Sequence, residues 1–144
     1  MAGLEQPHTD ETGVTWLPSQ GFLDGDTIDR SDLKIENTPT PSIYRSERFG
    51  MTKFSRKLAN GNYTVKLHFA ITYEAIALPG QVVFTVVVAG REIKDLDVWK
   101  KAGGALRAHV ETVPATITNG ELVISFISQS ENPTISAIEI IPAP

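Results

Sequence analysis

The stretch NYTVKLHFAI, residues 62–71, decides the fold class of this chain. Apolar and polar side chains alternate along it, which is the pattern of a β-strand with one face in a core. The core face is predicted to carry Tyr63, Val65, Leu67, Phe69 and Ile71. The other face carries Thr64, Lys66, His68 and Ala70, so we expect the His68 side chain to lie at the surface.

Other segments have a similar strand-like character, and they are separated by turn residues. They are residues 53–57, 82–90, 91–98, 109–118, 121–127 and 135–141. Asn60-Gly61 and Asn119-Gly120 predict hairpin turns, and Ala89-Gly90 predicts a third turn. The segment VVFTVVVAG is apolar in both phases, which predicts a strand buried on both sides or one whose outer face meets a partner.

The composition agrees with an all-β chain. Valine, isoleucine and threonine make up 38 of the 144 residues, and β-branched side chains favour strands. Residues 1–41 are rich in turn formers and predict long loops with short strands between them. Only residues 99–108 look helical, and Gly103-Gly104 interrupts them. We predict one domain over residues 1–144, folded as an antiparallel β-sandwich.

Charge and hydropathy argue against two classes of partner. Thirteen basic and seventeen acidic residues give a net charge of -4, without a basic cluster that would favour nucleic acid. No apolar run reaches the roughly 18 residues that a membrane helix needs. The segment MAGLEQPHTD has no apolar core, so we expect no signal peptide in this chain, and the absence of cysteine excludes disulfides.

The sequence has no recognisable catalytic motif. Its three histidines are scattered, and the HExxH, GxSxG and glycine-rich phosphate-loop patterns are missing. We therefore predict a protein that is not an enzyme and that uses no cofactor. The segment DGDTID brings Asp24, Asp26 and Asp29 close together, as a calcium loop would, but the distal glutamate of a twelve-residue loop is missing. Ordinary turn formation is the favoured interpretation.

Three aromatic residues lie at loop positions. Phe22 and Phe49 each neighbour glycine, and Tyr73 follows the central strand in the segment HFAITYEAIALPGQ. Exposed rings offer flat faces for the C–H groups of a sugar, while nearby carboxylates and amides bind its hydroxyls. The alternative is that each ring closes an end of the sandwich, and both interpretations remain open for each residue.

The segment IYRSERFG, residues 43–50, and the chain on both sides of it resemble a malectin domain. The segments NGNYTVKLHFAITYE, GREIKDLDVWKKAGG, ENPTISAIEIIP and TWLPSQGFLDG carry the resemblance, which covers residues 9–142 in unbroken order. It implies a jelly-roll-like sandwich of the galactose-binding type and non-catalytic binding of glucose-containing di- or oligosaccharides. The bacterial type attached to glycosidases is the most similar, which implies an extracellular or periplasmic parent protein.

The resemblance also implies which residues bind the sugar. By position, the family's loop aromatics fall on Phe22, Phe49 and the pair Tyr73-Glu74, and its acidic residue falls on Glu131, before Asn132-Pro133. We therefore expect a binding site made of Phe22, Phe49, Tyr73, Glu74, Glu131 and Asn132. Tyr73 would be a stacking surface, and Glu74 would accept a hydroxyl hydrogen bond.

Some positions depart from the family pattern. Ile71 stands where relatives commonly have an acidic residue, and Val82 where they commonly have arginine, so this pair either packs inside the domain or turns outward. The apolar 71–88 region predicts an alternative function, a natural or engineered scaffold that self-associates as a homo-oligomer. The first strand of relatives is shortened to MAGLEQP, which predicts a flexible or altered N-terminus over residues 1–8 and an open sheet edge.

Overall fold

The computed structural model describes residues 1–143, of which nearly half form β-strands and only a few form helix. The strands in chain order are β1 His8–Thr9, β2 Thr15–Trp16, β3 Phe22–Leu23, β4 Asp26–Asp29, β5 Ser46–Phe49, β6 Lys53–Lys57, β7 Gly61–Phe69, β8 Val83–Val88, β9 Arg91–Leu96, β10 His109–Ile117, β11 Glu121–Ser130, β12 Thr134–Ile135 and β13 Ala137–Pro142. A 3-10 helix spans Pro41–Tyr44 and helix α1 spans Val98–Ala102. The predicted all-β antiparallel class is confirmed.

Two layers of antiparallel strands make up the sandwich. The first layer is a five-stranded sheet in the order β3-β6-β11-β8-β9. The second layer consists of two three-stranded sheets, β10-β7-β13 and β12-β5-β4. Only Ser136 separates β12 from β13, so one run of chain pairs first with β5 and then with β7 and joins the two sheets. A small hairpin of β1 and β2 lies outside the layers.

The main core lies between the layers. Val65, Leu67 and Phe69 of β7 are fully buried, as their alternation predicts. The Phe69 ring meets the Phe84 ring of β8 in the opposite layer, with 5.9 Å between ring centroids. Burial of such side chains contributes about 1.5–3 kcal/mol each and is the main stabilising term of the fold.

The outer face of β7 is also covered, which corrects one prediction. His68 is buried instead of lying at the surface, because the loops that precede β5 fold over this face. Its Nδ1 atom lies 2.7 Å from the Tyr44 hydroxyl and its Nε2 atom 2.6 Å from a Glu139 carboxylate oxygen. Burial lowers the pKa of the His68 imidazole, and the bond to Glu139 opposes that change. Burial also raises the pKa of Tyr44 to about 12.

Two of the three predicted turns do not close hairpins. Strands β6 and β7, which flank Asn60-Gly61, lie in different layers, and so do β10 and β11, which flank Asn119-Gly120. Both turns therefore carry the chain across the sandwich, and they contact each other where the Gly120 N–H donates to the Asn60 side chain at 2.8 Å. Ala89-Gly90 does join a paired hairpin, and both residues have a positive φ.

Helix α1 is the single α-helix among residues 1–143, and it covers the start of the segment that looked helical. The Asp97 side chain caps its first turn, and Gly103 ends it with φ at 84°. No helix in the described range is long and apolar enough to cross a membrane.

The N-terminus is packed against the sandwich. Met1 and Ala2 are buried, and the Ala2 N–H donates to the Ser136 carbonyl at 2.9 Å. Met1 and Ala2 therefore pack against the fold, and the flexible or altered N-terminus expected over residues 1–8 stays a prediction.

Candidate functional site

A cleft of about 440 Å³ opens at one end of the sandwich. Its sides come from β4, β5 and β12 in one layer, from the loop between β7 and β8, and from the turn after β11. The lining residues are Ile28, Arg30, Glu47, Phe49, Ile71, Thr72, Tyr73, Ile76, Val82, Glu131, Asn132 and Thr134. We call it the loop-end cleft.

The floor of the loop-end cleft holds a buried carboxylate. Glu47 is 6% exposed and accepts hydrogen bonds from the Thr72 and Thr134 hydroxyls and from the Arg30 guanidinium, the last at 2.8 Å. A buried charge is tolerated only when partners of this kind replace its water. The four side chains thus form one polar network that links β4, β5, β12 and the segment after β7.

Strand alternation explains why Glu47 and Phe49 share the cleft. They are two residues apart on β5 and therefore point to the same side, whereas Arg48 between them points to the other. The Arg48 guanidinium lies over the Phe22 ring on that opposite side, 5.0 Å from its centroid. One short strand thus separates the cleft from a second group of aromatic side chains.

The rim of the loop-end cleft brings together four of the six predicted binding residues. They are Phe49, Tyr73, Glu131 and Asn132. Tyr73 is 57% exposed, and neither its ring nor that of Phe49 stacks on another aromatic ring within residues 1–143. The rim therefore presents an exposed tyrosine ring and a half-buried phenylalanine ring beside a carboxylate and an amide.

The apolar side of the loop-end cleft is continuous with the core. Ile71, Ile76 and Val82 are all buried members of the main core. Of the two alternatives for Ile71 and Val82, the packed one is therefore observed. The Gln81 side chain accepts the backbone N–H groups of Ala77 and Leu78 at 2.7 and 2.8 Å and holds the loop closed.

Phe22 and Glu74 lie outside the loop-end cleft. Phe22 pairs with Phe54 on β6, with 5.0 Å between their ring centroids, and the Arg48 guanidinium lies over its ring. Its ring is engaged on the far side of β5, which sequence position alone did not show. Glu74 follows Tyr73 but is exposed and does not line the cleft.

The three carboxylates of the segment DGDTID do not point to a common site. Asp26 and Asp29 are the two ends of β4 and point to opposite sides of it, while Asp24 accepts a hydrogen bond from Thr52 at 2.6 Å. Within residues 1–143 no group of three ligating side chains is close enough to hold a metal ion. The predicted turn is limited to Asp24-Gly25, where both residues have a positive φ, because Asp26–Asp29 form strand β4.

Sequence reasoning did not find the polar floor. Arg30, Glu47, Thr72 and Thr134 are far apart in the chain, and only the fold brings them together. One signal was present for Glu47, since it alternates in phase with Phe49 on a short strand. Nothing in the sequence pointed to Arg30 or to the two threonines.

Comparison with known proteins supports the fold and the family. The family model described as Malectin domain matches residues 3–138. The chain is 30% identical over 128 residues to the kinesin-like protein KIN-14E of Oryza sativa subsp. japonica, covering 81% of this chain and 12% of that protein. It is 33% identical over 128 residues to a probable leucine-rich repeat receptor-like serine/threonine-protein kinase of Arabidopsis thaliana, covering 76% and 12%.

A solved structure shows the same architecture at lower identity. The Bacteroides uniformis beta-glucuronidase superposes with a TM-score of 0.85 at 20% identity, over 96% of this chain and 17% of the enzyme. The chain thus spans about an eighth of the curated relatives named above and a sixth of that enzyme. With a family model matched from residue 3 to residue 138, the chain belongs to the malectin-domain family.

Proposed function

We propose that this chain binds a glucose-containing di- or oligosaccharide in the loop-end cleft and performs no chemistry on it. Malectin domains are carbohydrate-binding-type modules and are generally non-catalytic. The observation that carries the proposal is the convergence of Phe49, Tyr73, Glu131 and Asn132 on one rim, from three distant parts of the chain.

The rim supplies the two kinds of contact that a sugar needs. The exposed Tyr73 ring and the half-buried Phe49 ring offer faces to the C–H groups of a pyranose. The Glu131 carboxylate accepts hydroxyl hydrogen bonds, and the Asn132 amide both donates and accepts them. Glu131 is held at this position by a turn with φ at 59° and by the Ser128 hydroxyl, which donates to its carbonyl at 2.7 Å.

The polar floor has a different role from the rim. The Glu47 carboxylate already accepts hydrogen bonds from Arg30, Thr72 and Thr134, so it fixes the shape of the cleft and leaves hydroxyl recognition to the rim. A shallow site of this kind, with one or two stacked rings, gives dissociation constants of about 1 µM to 1 mM. Such weak binding is useful when the module is attached to an enzyme, because attachment raises the local concentration.

Calorimetric titration with maltose, nigerose and cellobiose tests the proposal. We expect one of them to bind, and we expect Tyr73→Ala to weaken that binding about ten-fold, as loss of one stacked ring does. The matched control is Leu78→Ala, which truncates an equally exposed side chain of the same loop that does not line the cleft. If no glucan disaccharide bound, or if the two variants bound equally well, the proposed site would be wrong.

Self-association is a second candidate function, and one observation favours it. Tyr73 and Leu78 are 57% and 63% exposed on the same loop, and Ala75 and Ala77 between them are exposed as well. With Ile71 and Val82 buried, the surface available for association is this loop and the half-buried Val83 and Val87. Light scattering on a sizing column distinguishes the cases, since a multimer that Leu78→Lys dissociates supports association. The two functions are compatible, because a multimer binds a polymeric glycan with higher avidity.

A further inference from the structure

Strand β13 has one unpaired edge. It is the last strand of its sheet, and among residues 1–143 only β7 pairs with it. Ala143 donates its N–H to the Asn62 carbonyl at 2.9 Å, which fixes the phase of the antiparallel ladder. Because alternate residues of a strand point to opposite edges, Glu139 and Ile141 pair with β7, whereas the N–H and C=O groups of Ile138 and Ile140 point away from it.

A groove of about 320 Å³ runs along that free edge. We call it the edge groove. Its far wall comes from the segment around β2 and from β3 and β6 of the other layer, through Val14, Leu17, Phe22, Phe54 and Arg56. Val14 and Leu17 are each 54% exposed, so apolar side chains face solvent across from unpaired backbone. Residues 1–3 pack against the beginning of the edge, where Ala2 bonds to Ser136. Met1 also lines the groove, and its amino group donates to the Leu17 carbonyl at 3.1 Å.

The walls of the edge groove are fixed in place. The Trp16 indole N–H donates to the buried Asp10 carboxylate at 2.8 Å, and the edge of its ring meets the His68 ring, with 5.6 Å between centroids. On the other wall Phe22 is held between Phe54 and Arg48. Arg56 has no carboxylate within salt-bridge distance in the part of the chain that the structure describes. The two other ionisable groups of the groove are engaged, since Glu139 bonds to His68 and the Met1 amino group to Leu17. The groove therefore combines apolar walls with the guanidinium of Arg56.

From these observations we propose that the edge groove binds an extended peptide segment of another polypeptide, which adds as a strand to β13. Only a polypeptide backbone offers donors and acceptors at the spacing of Ile138 and Ile140. One face of the peptide contacts Phe22, Phe54 and the isoleucines, so that face is apolar. A carboxylate on the peptide pairs with Arg56.

A single strand fits the edge groove better than the edge of a second copy does. In each copy Val14 and Leu17 line the groove together with β13. A second copy would have to bring its own β13 to the 4.7–4.9 Å at which strands pair together with these residues, whereas a single strand brings no such neighbours. Pro142 also has no N–H, so it limits strand addition to the stretch before it.

The test uses synthetic peptides of about seven residues in which valine and threonine alternate and one threonine is replaced by glutamate. A small panel varies the position of the glutamate, and each peptide carries a fluorescent label for anisotropy measurements. We expect at least one member to bind with a dissociation constant near or below about 100 µM. The same peptide with N-methyl groups on alternate backbone amides keeps its side chains but cannot pair with a strand, and we expect it not to bind.

Two variants locate the bound peptide. Leu17→Lys is expected to weaken binding about five-fold, whereas Ile127→Lys, which adds the same charge at a similarly exposed position of β11, leaves it unchanged. Ile140→Pro removes one N–H that faces the groove and none that bonds to β7. We expect it to bind the peptide at least about ten-fold more weakly than Ile140→Ala, which loses the same core contact but keeps the N–H.

Amide hydrogen exchange tests directly whether the peptide pairs with the free edge of β13. The N–H groups of Ile138 and Ile140 are expected to exchange faster than those of Glu139 and Ile141 in the free protein, and to slow about ten-fold or more when the peptide is bound. The proposal is overturned if no peptide of the panel binds at about 1 mM or if the N-methylated peptide binds equally well. It is also overturned if the protein forms a dimer that Leu17→Lys dissociates, which would assign the groove to a second copy.

Discussion

The loop-end cleft and the edge groove differ in which polar groups they leave free. In the cleft the deep polar groups are side chains, and Glu47, Arg30 and the two threonines satisfy one another. In the groove the free groups are the backbone N–H and C=O of Ile138 and Ile140, which nothing in residues 1–143 pairs. The cleft therefore suits a ligand that meets rings and a few rim groups, and the groove suits a ligand that brings its own backbone.

Because of this difference, we expect mutations in the two regions to act separately on stability and on ligand binding. A network that satisfies itself contributes to folding, so changing it should cost stability first. An unpaired edge contributes little to folding, so changing it should alter binding with little loss of stability.

The largest effect is expected at the cleft floor. Glu47→Ala leaves Arg30, Thr72 and Thr134 without their shared acceptor, and we expect it to lower the free energy of unfolding by about 3–5 kcal/mol. Urea denaturation measures the change. Glu131→Ala at the exposed rim is the control and should change stability by less than about 0.5 kcal/mol. Equal effects of the two variants would show that the floor network does not stabilise the fold.

A mutation in one of the two sites should weaken only the ligand that binds there. We expect Tyr73→Ala to weaken the sugar about ten-fold, or about 1.4 kcal/mol, and to leave the groove peptide unaffected. Leu17→Lys should weaken the peptide and leave the sugar unaffected. Calorimetry on both variants with both ligands measures the full set of effects. A variant that weakened both ligands to the same extent would contradict the assignment of two separate sites.

A smaller effect is expected from the histidine behind the edge groove. Burial holds the pKa of His68 below its usual 6.5, so the unfolded chain takes up this proton at a higher pH than the folded protein does. The free energy of unfolding should therefore fall as the pH drops below about 6.5, by at most about 1.4 kcal/mol per pH unit for this group. Burial also lowers the pKa of His109, so protonation of that residue adds to the pH dependence of the free energy of unfolding.

Unfolding curves between pH 7 and about pH 5 measure this dependence. His68→Gln should flatten the slope, and His109→Gln should flatten it separately, which apportions the effect between the two residues. A slope that neither variant reduced would show that other groups cause it.

The smallest effect concerns the wall of the edge groove. Hydrogen bonds from the side chains of Thr12 and Trp16 lower the pKa of Asp10 to about 2. The stabilisation that Asp10 supplies is therefore complete above about pH 4 and is lost as the pH falls toward 2. Asp10→Asn should cost no more than about 1 kcal/mol at neutral pH, and tryptophan fluorescence should report the change at Trp16. A cost that persisted unchanged at pH 2 would contradict this explanation.

Alternation along the strands predicted the fold class well, because burial on one face depends only on local spacing. It did not predict which strands share a layer. Asn60-Gly61 and Asn119-Gly120 have the sequence of hairpin turns, but each connects the two layers. The free energy that decides this comes from packing between the layers, which short turn sequences do not encode. His68 was misplaced for a related reason, since the loops that cover it have no periodicity.

The candidate site was predicted in part, and through family resemblance. Phe49, Tyr73, Glu131 and Asn132 do line one cleft, whereas Phe22 lies on the other side of β5 because its strand pairs with β6. Alignment places a residue on a loop but does not fix the direction of its side chain. The polar floor was not predicted, because its four residues come together only when β4, β5 and β12 pair.

The run from Glu131 to Pro142 borders both recesses. Its beginning supplies Glu131, Asn132 and Thr134 to the loop-end cleft, and its end supplies Ile138 and Ile140 to the edge groove. A ligand that shifts this run lengthwise at one end alters the shape offered at the other. Thermodynamic linkage then requires reciprocity: whatever factor the first ligand imposes on the affinity of the second, the second imposes on the first.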